Sequence, residues 1–324
     1  MITGKVCTEP DTWNEIAYDF DGHPLQLWGW GELKAAHNWR AERIIFTNDN
    51  DEVEGGAQVL LRKLPGPLGN LVYVPRGPFT ALGNERQLLE ALKHYAKAHY
   101  HPIGITVEPD TDAWEFSTDW KPSSNTILIP RTLILDLTKS EDDLLQAATK
   151  KTRQYIRKSG REDIEIKRVK SRDDVAKCLE IYHQTAQRAG FAVHGDQYYY
   201  DVHDKLGESS VIMAAHHRGE IVAFVWLAVS AATAFELYGG MNDKGQELRA
   251  NYALKWQTIM TCKEWGIERY DMNGLLNDGV STFKKGFAEH ETMLVGTYDT
   301  ACSPLYPVWT TALPLAKKII RFIR

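Results

Sequence analysis

Phe283-Lys284-Lys285-Gly286-Phe287 sets two adjacent ammonium groups between aromatic rings, with a glycine that lets backbone come close. The grouping reads either as a solvated turn or as a site that grips something anionic. A second concentration of charge, KKTRQYIRKSGR from Lys150 to Arg161, carries six cations and no acid. It fits a solvated helix face balanced by the acids before it, or a surface that neutralises several phosphates at once. Lys34 closes the patch WGWGELK, where Trp28 and Trp30 suit a core or an interface and the lone cation could meet a ligand phosphate as a point charge. The stretch YVPRGPFT, with Tyr73 and Arg76, is a strand end whose backbone is restricted by Pro75, Gly77 and Pro78.

Several other chemistries lack their residues. The chain has no G-x-S-x-G, no H-E-x-x-H and no Walker loop. His216 and His217 fall in an alternating strand pattern that sends their rings to opposite faces, so no metal is assigned. Cys7, Cys178, Cys262 and Cys302 lie far apart without a C-x-x-C pair, which fits reduced thiols in a cytoplasm. The pyrophosphate-binding loop of acetyl-CoA enzymes, Q/R-x-x-G-x-G/A, is matched at QRAGFA, Gln187 to Ala192. That match precedes the strands it should follow, so chance explains it better.

These residues need a scaffold to hold them. With 324 residues the chain predicts two domains, and its formal charge of −5 excludes a protein whose whole surface binds nucleic acid, with no DNA partner expected. The N-terminal stretch has no apolar run of signal-peptide length, and no segment approaches the roughly 18 apolar residues of a membrane span. Apolar runs at AERIIFTN, EGGAQVLLRKL and LVYVP, a helical pattern at NERQLLEALKHYAKAHY and a run at PIGITVEPD give strand, strand, strand, helix, strand. The order recurs at SVIMAAHHRGE, IVAFVWLAVS, TAFELYGGM, the helix NYALKWQTIMTCKEWG ended by Gly266, and IERYDMNG. A duplicated pattern, without matching residues, is the prediction. Between the copies, Thr138 or Ser140 is placed to cap a helix led by Glu141, Asp142 and Asp143. The strand-and-helix order is also that of the GCN5-related N-acetyltransferases, which keeps an acyl-CoA-dependent N-acyltransferase as an alternative.

LQLWGWGELK, LVYVPRGP, KKTRQYIRKSGR, YDMNG and FKKGF followed by VGTYD, taken in order over nearly the whole chain, resemble the blocks of the FemABX family of peptidoglycan bridge-forming aminoacyltransferases. The resemblance implies an α+β protein with two GCN5-related N-acetyltransferase-like domains packed around a shared cleft. The expected domains are 1–138 plus 299–324, the C-terminal segment returning to the first, and 139–298. No sustained heptad stretch occurs, so the chain resembles the compact, armless members.

The implied activity is transfer of an amino acid from aminoacyl-tRNA to a stem-peptide amine of a peptidoglycan precursor, lipid II or its UDP-linked soluble form, without metal or CoA. A non-catalytic relative that binds tRNA or precursor is the other reading. On this resemblance Lys284, or else Lys285, points at the reacting carbonyl or the tRNA terminus, Phe283 packs on the terminal adenine or ester, and Gly286 permits close approach. Lys34 and Arg188 match the lysine and arginine that grip the precursor's diphosphate, with Tyr73 and Arg76 lining the same cleft. Lys150, Lys151, Arg153, Arg157 and Lys158 are expected to steer tRNA. Where many relatives have an acid after RGP, this chain has Phe79-Thr80-Ala81, which leaves a general base unassigned. The C-terminal pattern, Leu315, Ile319, Ile320 and Ile323 among Lys317, Lys318, Arg321 and Arg324, is that of a basic amphipathic helix. It suits peripheral contact with the inner membrane surface or packing on the first domain. Neither the amino acid transferred nor the oligomeric state is legible.

Overall fold

A computed structural model of the chain describes residues 2–276, 279–288 and 290–312. The basic pattern read over Leu315–Arg324 lies outside them. Residue contacts divide the chain into two units, one of residues 1–20, 25–128 and 294–324, the other of residues 21–24 and 129–293.

In the first unit the strands run in the order Thr3–Val6, Arg40–Thr47, Val53–Lys63, Asn70–Val74, Pro102–Val107, Tyr298–Ala301, Trp120–Pro122. All neighbours are antiparallel except Asn70–Val74 with Pro102–Val107, which run parallel. A parallel pair needs a crossover, and helix Glu85–Tyr100 supplies it. Leu88, Leu89, Leu92, Ala96 and Tyr100 recur at helical spacing and form its buried stripe against Ile44, Phe46, Val59, Val72 and Ile105. Glu85 in its first turn and Lys97 and His99 in its last complement the helix dipole.

The second unit repeats this topology. Its order is Glu165–Val169, Ser210–His217, Glu220–Val229, Thr233–Met241, Arg269–Asp271, Ile134–Asp136, antiparallel except for Thr233–Met241 with Arg269–Asp271. Helix Ala250–Glu264 makes the crossover, burying Ile259 and Met260 with Trp256 packed beside them, and Gly266 follows it at φ +82°. Ser140, rather than Thr138, caps helix Glu141–Ala147 by accepting from the Asp143 amide at 3.1 Å.

Two strands reach across the sequence to complete these sheets. Tyr298–Ala301 inserts beside Pro102–Val107, register Tyr298 to Val107 and Ala301 to Gly104. Ile134–Asp136 pairs with Arg269–Asp271, so contact groups residues 129–138 with the second unit, ahead of the boundary the sequence suggested at 138/139.

Candidate active site

In the first unit, helix Trp28–Ala35 carries Lys34 half-buried, its Nζ 4.4 Å from the centroid of Trp30. Burial first, and the charge of Arg62 second, pull its ammonium from 10.5 down to about 8. Arg62, from strand Val53–Lys63, lies 4.0 Å over the ring of Trp39, which in turn sits 6.3 Å from Tyr73. Lys34 and Tyr73, remote in sequence, thus belong to one cluster, to which the structure adds Arg62 and Trp39.

Tyr73 and Arg76 are buried, 6% and 2% exposed. The Tyr73 hydroxyl donates to Glu108 Oε2, and burial, reinforced by that carboxylate, pushes its phenol well above the ordinary value. Arg76 holds a left-handed backbone, φ +47°, with its Nε 3.9 Å from Asp110 Oδ1. Their polar groups are engaged within the unit. Glu108, 1% exposed, also accepts from the amides of Ile127 and Leu128 at 3.2 and 2.9 Å and from Thr297 Oγ1 at 2.6 Å. The sequence reading passed over it, although an acid directly after the apolar run PIGITV was a usable signal.

In the second unit the lysine motif is helical. Helix Gly279–Lys284 runs into a 3-10 turn, Lys285–Phe287, rather than the hairpin end that FKKGF by itself permits. Phe287 is core, and Phe283 sits edge-on to Tyr252 and Phe287, with ring centroids 5.0 and 5.2 Å away. A Cβ added to Gly286 would stand 2.3 Å from Thr152 Oγ1, and the Gly286 carbonyl accepts from the Thr149 amide at 2.9 Å. The glycine therefore seats the motif on the first turn of helix Lys150–Ser159, so two charged stretches read separately in the sequence are one substructure.

The paired lysines differ. Lys285 Nζ is 2.6 Å from Glu291 Oε1, an ion pair whose ammonium holds that carboxyl below its usual range. Lys284 has no carboxylate partner among the described residues, and its half-buried ammonium donates to the carbonyls of Asn273 and Gly274, each at 3.4 Å.

The cations of helix Lys150–Ser159 also divide. Lys150, Lys151, Arg157 and Lys158 are exposed, whereas Arg153 donates to the carbonyls of Gln146, at 2.9 Å, and Ala148, tying off the preceding helix. Arg188 is likewise committed, to Asp243 Oδ1 at 3.0 Å and to the Met241 carbonyl. The QRAGFA match is the end of helix Arg172–Ala189, with Gly190 at φ +71° as its cap.

A model of the FemAB family matches residues 11–129, 123–220 and 217–313. The chain belongs to the FemAB family. This FemAB chain is 21% identical to "Lipid II:glycine glycyltransferase" of Staphylococcus haemolyticus (strain JCSC1435) over 94% of each protein. It is 26% identical to the protein of the same name from Staphylococcus aureus over 82% of its own length and 63% of the relative's, less than two thirds of that protein. Among solved structures, "Crystal structure of FemX" superposes with a TM-score of 0.85 at 19% identity, covering 95% of this chain and 99% of that one. A tandem GNAT protein from the clavulanic acid biosynthesis pathway superposes at 0.51 with 10% identity, covering 94% and 99%. These likenesses are of fold: the FemAB chain is an α+β protein of two domains resembling GCN5-related N-acetyltransferases.

Proposed function

We propose that this FemAB chain is an aminoacyltransferase that moves an amino acid from aminoacyl-tRNA to a stem-peptide amine of a peptidoglycan precursor, building an interpeptide bridge. Family membership supports the class of reaction, and the name shared by the glycyltransferase relatives supports lipid II as acceptor. The observation that carries the chemistry is the state of Lys284, a half-buried cation that donates to two backbone carbonyls at 3.4 Å and has no carboxylate partner among the described residues. An aminoacyl ester is already activated, so its aminolysis needs a neutral amine held in line and a stabilised oxyanion. Lys284 supplies that stabilisation by exchanging its weak carbonyl contacts for the oxygen that becomes negative. As the carbon–nitrogen bond forms and the ester carbon–oxygen bond breaks, the amine's proton ends on the tRNA hydroxyl that leaves. Phe283 offers its ring to the tRNA terminus, Lys34 holds a phosphate of the precursor, and Arg188 joins it by exchanging its exposed Asp243 partner for a phosphate. Mass analysis of products after mixing the protein with charged tRNAs and both precursor forms tests this reading. An aminoacylated precursor is expected; precursor left unmodified by charged tRNA, but acylated once an acyl-CoA is added, would overturn it.

Charge on the cationic helix supports the donor. Lys150 and Lys151 occupy its first turn, beside the positive end of the helix dipole, where no acid offsets them. Each such placement costs about 0.3–1 kcal/mol, which a bound polyanion relieves. Replacing both lysines by glutamine should weaken charged-tRNA binding and lower its salt slope by about 1.4–1.8, the value for two phosphate contacts. The same change should leave thermal stability equal or higher. Filter binding across salt concentrations with a melting curve checks both signs, and unchanged binding would remove these residues from the tRNA path.

Lys34 gives the acceptor a pH dependence. Its folded value of about 8 lies below 10.5, so the charged form disappears as pH rises through 8 and the grip on phosphate goes with it. KM for the precursor should rise roughly 10-fold or more across that range, the value of one charged hydrogen bond, while Lys34→Arg should flatten the profile. Linkage has the opposite sign for folding. Because the unfolded chain binds the extra proton between 8 and 10.5, stability from this group increases with pH in that window.

Lipid II as acceptor would bring the chain to the inner membrane face as a peripheral protein. Among the described residues no helix is long and apolar enough to cross a membrane.

A further inference from the structure

The second unit buries an ion pair that the proposed chemistry does not use. Lys255, on helix Ala250–Glu264, and Glu236, on strand Thr233–Met241, are 5% and 7% exposed, and the ammonium donates to Glu236 Oε1. Desolvating two charges is expensive enough that well-packed apolar residues usually do as well in a core, so the pair calls for another reason.

Its place in the sheet supplies one. Parallel pairing between Thr233–Met241 and Arg269–Asp271 ends at Phe235 and Asp271, and Glu236 is the next residue. Where the ladder stops, the Glu236 carbonyl accepts instead from Asn273 Nδ2 at 2.9 Å. Asn273 is itself tightly held: φ is +62°, its amide donates to Asp271 Oδ1 at 2.7 Å, and its Oδ1 accepts from the Gly274 amide at 2.6 Å. The carbonyls of Asn273 and Gly274 are the ones that hold Lys284. Lys255 Nζ lies 5.9 Å over the Phe283 ring and near enough to Lys284 for the two charges to repel, which makes Glu236 the counter-charge for that corner.

We propose that Asn273, bonded to the Glu236 backbone carbonyl beside the buried Glu236–Lys255 pair, is the positioning residue for Lys284: its side chain closes the gap in the sheet and so fixes the carbonyls that aim the ammonium. The inference rests on the transfer reaction proposed above. Asn273→Gly tests it, because glycine keeps the left-handed backbone and both carbonyls while deleting the amide contacts. The Lys255→Met, Glu236→Leu double variant tests it again with an apolar pair of similar size.

Each folded variant should react several-fold faster at Lys284 with an amine-directed reagent, measured on its peptide by mass spectrometry, while Lys285, paired with Glu291, stays unchanged. kcat should fall roughly 10- to 100-fold, as misplacement by about an ångström does, with KM for the precursor unmoved. Unaltered labelling of Lys284 and full kcat in both variants would overturn the assignment. Faster labelling in a protein that transfers nothing even as wild type would uphold the positioning role and remove the transferase reading, so the two failures are distinct.

Discussion

Lys284→Met is expected to fold normally and to lose roughly 100- to 1000-fold in kcat, the usual loss when one oxyanion donor is removed. Methionine has nearly the length of lysine and no charge, so the packing along helix Gly279–Lys284 survives. The bonds given up are two contacts at 3.4 Å to carbonyls of half-buried residues, which water can replace at little cost. KM for the precursor should change little, because the interaction lost forms only as the carbonyl oxygen becomes negative. Lys285→Met separates the neighbours: its ammonium already neutralises Glu291, and its loss should cost far less turnover. Single-turnover transfer from charged tRNA with both variants decides the matter. Wild-type kcat in Lys284→Met would leave the reaction without its proposed electrophile.

Glu108→Ala should cost the first unit about 3–5 kcal/mol, a large share of the roughly 5–15 kcal/mol that holds a domain together. The carboxylate accepts from the Tyr73 hydroxyl, the Thr297 hydroxyl and the amides of Ile127 and Leu128. Alanine strands these donors in the interior, and each buried donor left without a partner costs about 1–3 kcal/mol where water cannot enter. Thr297 precedes strand Tyr298–Ala301, so the loss should loosen that strand's pairing with Pro102–Val107. Glu108→Gln keeps the shape and one acceptor and should cost clearly less. Denaturant midpoints, with amide exchange read at Thr300 and Ala301, test both substitutions. A Glu108→Ala protein as stable as wild type would show that the hub is ornamental.

The elements were legible because their signals are local. Alternation and helical spacing mark which side of AERIIFT or QLLEALKHYA is apolar, and the duplicated order needs only those patterns plus a crossover helix to become two similar sheets. Caps were nearly as readable, since Ser140 and Gly266 act on residues within a turn of themselves. Lys255 was passed over, although it shares a stripe with Thr258, Ile259 and Cys262 and so breaks the apolar pattern on the buried face of the crossover helix.

The amino-acid order by itself determined the twin α+β architecture and the family. Only the folded chain decided which charge is free for what. Glu108 finds Thr297, 189 residues away, and residues 129–138 join the second sheet because Ile134–Asp136 pairs there. In sequence Lys284 and Lys285 are equivalent neighbours. On a helix end, successive side chains point about 100° apart, so Lys285 meets the carboxylate of Glu291 while Lys284 meets two backbone carbonyls. Spacing encodes direction along an element, but the partner a charged group meets is fixed by what tertiary packing brings to that direction.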